Sequence, residues 1–292
     1  MKVLILGAQG LLGEALQKAF AAHEVIACDR EELDVTDFVR LRSEITRLSP
    51  DAVINCVAWN DVDGAESEAE RGNAHARDRA MLLNCEVVRE LAKICSAAHM
   101  PLVTYSTDHV FNGEKTAGYT EDDRPNPINA YGRSKACGEI ALQEETSDFY
   151  LIRTSRLYGP KPRSAHAKSS FVLRMIELGA YNKEISVVDE EPGAFTFVKD
   201  LAEATKKIVE EKFPYGVYHL TAEGAATWFE CAKEIFGFLG MEIKLSPVRR
   251  NDFPRPALIP PYSILLNTKF PRLRDWKDAL HDFISSYYGK SL

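Results

Sequence analysis

Short apolar runs alternate with stretches of helical periodicity through the first half of the chain. The runs at residues 2–6, 25–28 and 51–58 have the length and composition of buried strands, and a helical pattern follows each of the first two. Two further runs lie at residues 101–105 and 149–153. Because strand and helix alternate regularly, the pattern predicts an α/β fold, in which helices cover both faces of a doubly wound parallel sheet.

The first apolar run ends in a glycine-rich turn. Gly7, Gly10 and Gly13 belong to the stretch Gly-Ala-Gln-Gly-Leu-Leu-Gly, and a helical pattern continues from there through Phe20. In this context glycines allow a tight turn, a close approach of the backbone to a pyrophosphate, and close packing of the helix on the strand. The N-terminus of the helix then faces the phosphates. The stretch predicts a dinucleotide site and a sheet of the Rossmann type.

The second half of the chain continues with amphipathic stretches and short apolar runs, and its segment 247–261 is rich in Pro and Arg. We predict a dinucleotide-binding Rossmann domain over residues 1–155, which also receives roughly residues 184–222. Residues 156–183 and 223–292 are predicted to form a smaller C-terminal α/β domain that binds substrate.

Charge and composition limit the partners that the chain can have. The 292 residues include 36 Lys and Arg against 43 Asp and Glu, a net charge of -7, so a general basic surface for nucleic acid is not expected. The six cysteines form no Cys-x-x-Cys pair and are predicted to be reduced core residues. The apolar runs fall far below the roughly 18 residues that a membrane span requires. These features predict a soluble, cytoplasmic protein.

Two charged residues follow the second predicted strand, where a Rossmann fold reads the adenosine ribose. Asp29 would accept hydrogen bonds from the ribose hydroxyls of NAD, whereas Arg30 could contact the 2′-phosphate of NADP. The sequence leaves the choice between NADH and NADPH open. An ordinary polar strand end is the alternative interpretation of this pair.

Polar and ionisable side chains cluster after later strands and on the following helix. Tyr131 and Lys135 are four residues apart, so a helix presents both on one face, and the ammonium is expected to lower the pKa of the phenol. Thr107 follows the fourth strand and could hydrogen-bond a carbonyl oxygen. A phenol that donates a proton to a carbonyl while hydride reaches its carbon is the chemistry of a ketoreductase. A Tyr and a Lys at this spacing also occur on ordinary helix surfaces.

The order of these motifs resembles that of the extended short-chain dehydrogenases and reductases. Finer matches are similar to the dTDP-4-dehydrorhamnose reductases, and they lie at residues 33–37, 62–68, 106–111, 153–155, 218–220, 227–229 and 262–265. That resemblance implies NAD(P)H-dependent reduction of the 4-keto group of a dTDP-6-deoxy-hexulose. The implied reaction converts dTDP-4-dehydrorhamnose to dTDP-L-rhamnose for cell-surface polysaccharide.

The resemblance also implies a role for each matching residue. Tyr131 would donate the proton, Lys135 would hold the nicotinamide ribose, and Thr107 would orient the keto oxygen, while Asp108 lies in the part of the motif that meets the sugar. The implied cofactor contacts are Gly7, Gly10, Leu11, Leu12 and Gly13 at the pyrophosphate, Asp29 and Arg30 at the adenosine ribose, Asp34 and Val35 at the adenine, and Ala58, Trp59, Asn60, Tyr131 and Lys135 at the far half of the dinucleotide.

Several positions depart from the family pattern where the sugar should lie, namely Arg156, the long stretch at residues 161–170, Phe195 and Pro260. Arg156 stands at a position that is usually Trp in the family, so we expect it to contact the substrate in a pocket of changed shape and charge. A related 4-ketoreductase acting on a different sugar is therefore one alternative. A second alternative is a non-catalytic NADP-binding subunit like the beta subunit of methionine adenosyltransferase. Family analogy further implies a homodimer and Mg²⁺, although no residue is predicted as a metal ligand.

Overall fold

The structure is a computed structural model that describes residues 1–70, 78–164 and 167–289. The strands are β1 Lys2–Leu6, β2 Glu24–Cys28, β3 Ala52–Asn55, β4 Leu102–Thr107, β5 Phe149–Thr154, β6 Glu184–Val188, β7 Gly216–His219 and β8 Lys244–Val248. The helices are α1 Leu11–Ala19, α2 Phe38–Leu48, α3 Val62–Glu70, α4 Arg79–Met81, α5 Val87–Ala97, α6 Ala130–Glu145, α7 Phe171–Tyr181, α8 Val198–Glu210, α9 Trp228–Leu239 and α10 Trp276–Tyr288. No helix within these ranges is both long enough and apolar enough to cross a membrane.

The main sheet has the strand order β2-β1-β3-β4-β5-β7, and each neighbouring pair is parallel. The order reverses between β1 and β3, because the chain first adds β2 on one side and then crosses to the other. In sheets of this kind, ligands bind beyond the carboxyl ends of the strands at the point of reversal. The predicted Rossmann-type fold is confirmed.

The side chains of the main sheet alternate between two hydrophobic layers. Val3 and Ile5 of β1 pack in a core that also contains residues of α1 and α8, whereas Leu4 and Leu6 face a second core with residues of α2 and α5. All four side chains are fully buried. Because successive strand residues point to opposite faces, a continuous apolar run is what a sheet covered on both sides requires.

The C-terminal part of the chain adds a small second sheet in which β6 and β8 pair in parallel. The helices α7, α9 and α10 contribute side chains to the same core as α1 and α8. Of the segment that was predicted to return to the first domain, β7 joins the main sheet, whereas β6 belongs to the small sheet. The chain therefore returns to the main sheet after β6 and not before it. The division into two domains stays a prediction.

The prediction that all six cysteines are reduced is wrong for one pair. Cys85 and Cys137 form a disulfide that joins a π-helical turn, Leu82–Glu86, to α6. The two residues are 52 positions apart in the sequence, and the packing of one helix on another brings them together, so local spacing gives no signal of the pair. Cys28, Cys56, Cys95 and Cys231 are free, as predicted.

Candidate active site

The glycine turn after β1 contains a backbone conformation that residues with a side chain rarely adopt. Gly7 has φ 75°, and a Cβ on it would lie 3.1 Å from the backbone carbon of Cys56. A Cβ on Gly13 would lie only 2.2 Å from the carbonyl oxygen of Gly7. The first residue of α1 is Leu11, and no side chain caps this end, so the first amides of the helix are available to an anion. The turn fits a dinucleotide pyrophosphate.

Asp29 and Arg30 lie beside this turn. The Asp29 carboxylate accepts hydrogen bonds from the backbone N–H of Gln9 at 2.9 Å and of Arg30 at 2.8 Å. The Arg30 guanidinium is exposed, and its Nε lies 3.6 Å from Asp34 Oδ2. Val35 is buried in the core under α2. The carboxylate therefore orders the turn, while the Arg30 side chain stays accessible to a phosphate.

The loop after β3, which contains Ala58, Trp59 and Asn60, is held by a residue that the sequence analysis missed. Asn84 lies in the π-helical turn, accepts a hydrogen bond from Trp59 N at 2.9 Å, and donates to Trp59 O at 2.9 Å. It also donates to Ser134 Oγ at 2.9 Å. Asn84 thus couples this loop to α6, the helix that carries Tyr131 and Lys135.

Helix α6 begins at a well-formed cap that sets the position of Tyr131. The Asn129 side chain accepts a hydrogen bond from Gly132 N at 2.7 Å. The Tyr131 ring is buried and packs edge-on against His109, with ring centroids 5.6 Å apart. Burial raises the pKa of the Tyr131 phenol well above its usual value, and a side-chain hydrogen bond with Thr107 opposes this rise. The structure therefore brings the predicted proton donor to the predicted hydroxyl.

Lys135 is buried one helical turn after Tyr131, and its ammonium donates a hydrogen bond to the backbone carbonyl oxygen of Tyr105 at 3.0 Å. Burial lowers the pKa of Lys135 to about 8, and the Glu139 carboxylate opposes this shift. The pKa of the Tyr131 phenol is raised overall because the effect of burial prevails, and the lowering expected from the Lys135 ammonium stays a prediction.

Asp108 directly follows Thr107, and its carboxylate accepts hydrogen bonds from three hydroxyl groups. Thr107 Oγ1 donates to Oδ1 at 3.0 Å. Ser155 Oγ and Ser263 Oγ both donate to Oδ2, at 3.0 and 2.6 Å. The two serines are 47 and 155 positions away in the sequence, so no local pattern could identify them as partners. Through Ser263, the carboxylate ties the segment before α10 to the carboxyl end of β4.

Arg156 lies in an aromatic cage rather than in open space. Its guanidinium carbon is 4.0 Å from the centre of the Trp228 ring and 5.0 Å from that of Phe195. Its nitrogens donate to the carbonyl oxygens of Ala226, at 3.0 Å, and of Glu191. Burial lowers the pKa of Arg156 to about 10, and the carboxylates of Asp108 and Glu191 oppose this shift. The cation thus acts electrostatically on the part of the site that Asp108 occupies.

The acidic side chains of Glu14 and Glu190 accept hydrogen bonds from two arginine residues. Glu14 Oε1 accepts from the Arg163 backbone N–H at 2.9 Å and from its Nε at 2.8 Å. Glu190 accepts from Arg250 N at 3.0 Å. Within the described parts of the chain, no three His, Cys, Asp or Glu side chains are grouped to hold a metal ion. The Mg²⁺ of the family analogy therefore stays an untested expectation.

Comparison with known proteins decides the family. A family model described as the RmlD substrate binding domain matches residues 1–288. The chain belongs to the RmlD family of dTDP-4-dehydrorhamnose reductases. It is 34% identical over 289 residues to the spore coat polysaccharide biosynthesis protein SpsK of Bacillus subtilis. This match covers 97% of this chain and 96% of SpsK. It is also 34% identical over 301 residues to a dTDP-4-dehydrorhamnose reductase of Streptomyces griseus, over 99% of this chain and 94% of the relative.

A solved structure of the family extends the similarity to three dimensions. The dTDP-4-dehydrorhamnose reductase of Bacillus anthracis in complex with NADP superposes with a TM-score of 0.89 at 33% identity, and the match covers 98% of this chain and 99% of that chain. The family and the fold class predicted from the sequence are thereby confirmed.

Replacing Arg30 by Ala should weaken the binding of NADPH by about tenfold and leave that of NADH nearly unchanged. Only NADPH carries the 2′-phosphate, and a charge-assisted hydrogen bond is worth about 1.5–3 kcal/mol. We expect the lower end of this range because the Arg30 side chain is 77% exposed. Fluorescence titration of both cofactors measures the difference, with Arg42→Ala on α2, which pairs with Glu90, as the control. Equal losses for the two cofactors would rule out this role.

Proposed function

We propose that this protein reduces the 4-keto group of a dTDP-6-deoxy-hexulose with NADPH or NADH. The specific reaction that we propose is dTDP-4-dehydrorhamnose to dTDP-L-rhamnose, for a cell-surface polysaccharide. The observation that carries the proposal is the meeting of Thr107, Tyr131 and Lys135 at the end of the sheet where the glycine turn fits a dinucleotide. Similarity to a reductase of Streptomyces griseus and to an NADP complex supports it.

In the proposed reaction, the bound nicotinamide supplies the hydride to C4 of the sugar. Thr107 holds the keto oxygen by a hydrogen bond, once its hydroxyl turns from Asp108 to the substrate. Tyr131 donates its phenolic proton to the same oxygen as negative charge develops there. The positive charge of Lys135 then stabilises the phenolate that remains. Burial of all three side chains keeps bulk water from the reacting oxygen.

The surroundings of Arg156 support a second candidate on the same scaffold, a 4-ketoreductase acting on a different dTDP-sugar. We propose that the Arg156 guanidinium, which packs against Trp228 and Phe195, presents a positive charge to the sugar at a position where the family usually has an indole. A guanidinium at this position favours binding of the hydroxyl groups of a sugar over stacking against the apolar face of its ring. We therefore assign Arg156, with Thr107 and Asp108, to the recognition of the sugar.

The experiment compares dTDP-4-dehydrorhamnose with dTDP-4-keto-6-deoxy-glucose, each with NADPH and with NADH, by the loss of absorbance of the reduced cofactor. Faster turnover of the rhamnose precursor supports the first candidate, and faster turnover of the other sugar supports the second. Replacing thymine by uracil in the substrate tests the base. If NADP binds but neither sugar is reduced, the proposed activity is wrong and a non-catalytic NADP-binding subunit becomes the better account.

We propose a cytoplasmic homodimer that binds neither nucleic acid nor membrane. The net charge of -7 supports the first exclusion. The two-domain division, with the cofactor on residues 1–155 and the sugar on the C-terminal part, belongs to the same proposal. Light scattering of the purified protein tests the dimer.

A further inference from the structure

We propose that Glu139 is a positioning residue of the reaction, which keeps the Lys135 side chain positively charged inside the protein and is itself held in place by Arg153. This inference rests on the proposed function, because it concerns the ammonium that supports Tyr131. It assigns a role to a buried carboxylate that lies behind the reacting groups and does not contact them.

Glu139 lies on α6, one turn after Lys135, and the spacing of four residues puts both on the same face of the helix. Only 2% of Glu139 and 7% of Lys135 is exposed. The Glu139 carboxylate accepts two hydrogen bonds from Arg153 of β5, from Nε at 3.0 Å and from Nη2 at 2.7 Å. A bidentate pair of this kind fixes the carboxylate firmly.

The remaining guanidinium nitrogen of Arg153, Nη1, also has hydrogen-bond partners. Its Nη1 lies 3.3 Å from His219 Nε2 and 3.4 Å from the carbonyl oxygen of Glu121. His219 Nδ1 lies 3.1 Å from the carbonyl oxygen of Leu266, which can only accept, so Nδ1 donates and Nε2 accepts from Arg153. His219 is therefore neutral, and burial lowers its pKa to about 4.

The charges of this buried group balance. The Glu121 carboxylate accepts hydrogen bonds from Thr268 N at 3.0 Å, from Thr268 Oγ1 at 2.6 Å and from His219 N at 3.2 Å. Two carboxylates, Glu121 and Glu139, thus accompany two cations, Arg153 and Lys135. Removal of Glu139 would leave the two cations with one carboxylate in a medium of low polarity, where an unpaired charge is strongly unfavourable.

The groups around Lys135 leave Glu139 as its source of negative charge. Cys56 after β3 is the other titratable group whose charge would favour the ammonium, but burial raises the pKa of its thiol so far that it stays neutral. Tyr105 of β4 offers its backbone carbonyl, and burial raises the pKa of its phenol, which is bonded to Thr205. Since the pKa of Lys135 is about 8, a further fall would deprotonate it near neutral pH.

Glu139→Gln should move the alkaline limb of kcat/KM to lower pH by about one unit, which corresponds to about a fivefold loss of rate at pH 8, about a tenfold loss at pH 9 and above, and little loss at pH 6. Glu139→Asp keeps the charge and should restore most of the alkaline limb. The control is Asp200→Asn on α8, which breaks the ion pair with Arg274 at 2.8 Å and should leave the limb in place. An unchanged limb in folded Glu139→Gln would overturn the proposal.

Because Glu139→Gln leaves Arg153 unpaired, Glu139→Met/Arg153→Met serves as a second variant without a lone buried charge. The alkaline limb of kcat/KM for this double variant should also move to lower pH. NMR titration of isotope-labelled lysine, with the Lys135 signal identified by its loss in Lys135→Met, measures the same pKa without turnover. A lowered pKa in Glu139→Gln supports the proposal even if the sugar nucleotide is not the substrate, and an unchanged pKa contradicts it even if the enzyme is active.

Discussion

Tyr131→Phe should lower kcat by about 10²–10⁴-fold while the cofactor still binds, because a positioned general acid contributes an effect of this size. The phenol is the group that the structure holds beside Thr107 in a buried site. Phenylalanine keeps the ring and its packing against His109 but has no proton to donate. Stopped-flow measurement of cofactor oxidation gives the rate, and fluorescence titration gives the cofactor affinity.

Tyr158→Phe is the matched control for this substitution. Tyr158 is buried, stacks on Phe197, and its hydroxyl has no hydrogen-bond partner among the described residues. Loss of this hydroxyl should therefore leave kcat within about twofold of the parent protein. If Tyr131→Phe turned over as fast as Tyr158→Phe, the proton would come from another group and the assignment of Tyr131 would fail.

Gly13→Ala should weaken cofactor binding by about 10–100-fold and destabilise the fold by about 1–3 kcal/mol, the usual effect of overpacking a tight contact. The new methyl group would lie 2.2 Å from the carbonyl oxygen of Gly7 and 2.8 Å from Ala8 Cα, and both are backbone atoms that cannot turn aside. Helix α1 must therefore move away from the turn, and its first amides move with it. Denaturant unfolding and cofactor titration measure the two effects.

Gly237→Ala provides the control within a helix. A Cβ at Gly237 in α9 meets nothing within 4 Å. The substitution should leave cofactor affinity unchanged and stabilise the protein by about 0.5–1 kcal/mol, since alanine loses less backbone entropy in a helix. If Gly13→Ala bound the cofactor as tightly as Gly237→Ala, the close packing of α1 on the turn would not be what positions the pyrophosphate.

The strands of the main sheet and the glycine turn could be predicted because their signals are local. A strand such as β1, which is buried on both faces, is a continuous apolar run. The turn that follows it uses a positive φ at Gly7, a conformation that favours glycine. The cap of α6 at Asn129 is a local feature too, because an Asn directly before a helix accepts a hydrogen bond from the first turn. At the start of α2, Asp34, Thr36 and Asp37 are all residue types that cap helices, and only the tertiary structure selects Asp37.

The features that escaped prediction depend on contacts between distant residues. Asn84 holds the loop at Trp59 from a π-helical turn of 5 residues, which is too short to show a sequence pattern of its own. Strand β8 contains Pro247, which is a poor residue for a strand and fits there in a small two-stranded sheet. Pairing of Ser263 with Asp108 likewise follows from the fold and not from spacing.

Transfer of deuterium is the most direct test of the central claim, that Thr107, Tyr131 and Lys135 catalyse the reduction of a sugar keto group. Each of the two C4-deuterated stereoisomers of NADPH is mixed with the protein and dTDP-4-dehydrorhamnose in a single turnover. We expect deuterium at C4 of the sugar from one isomer only, and almost none within the same time for Tyr131→Phe. A bound cofactor that transfers no deuterium to this sugar or to dTDP-4-keto-6-deoxy-glucose would contradict the account.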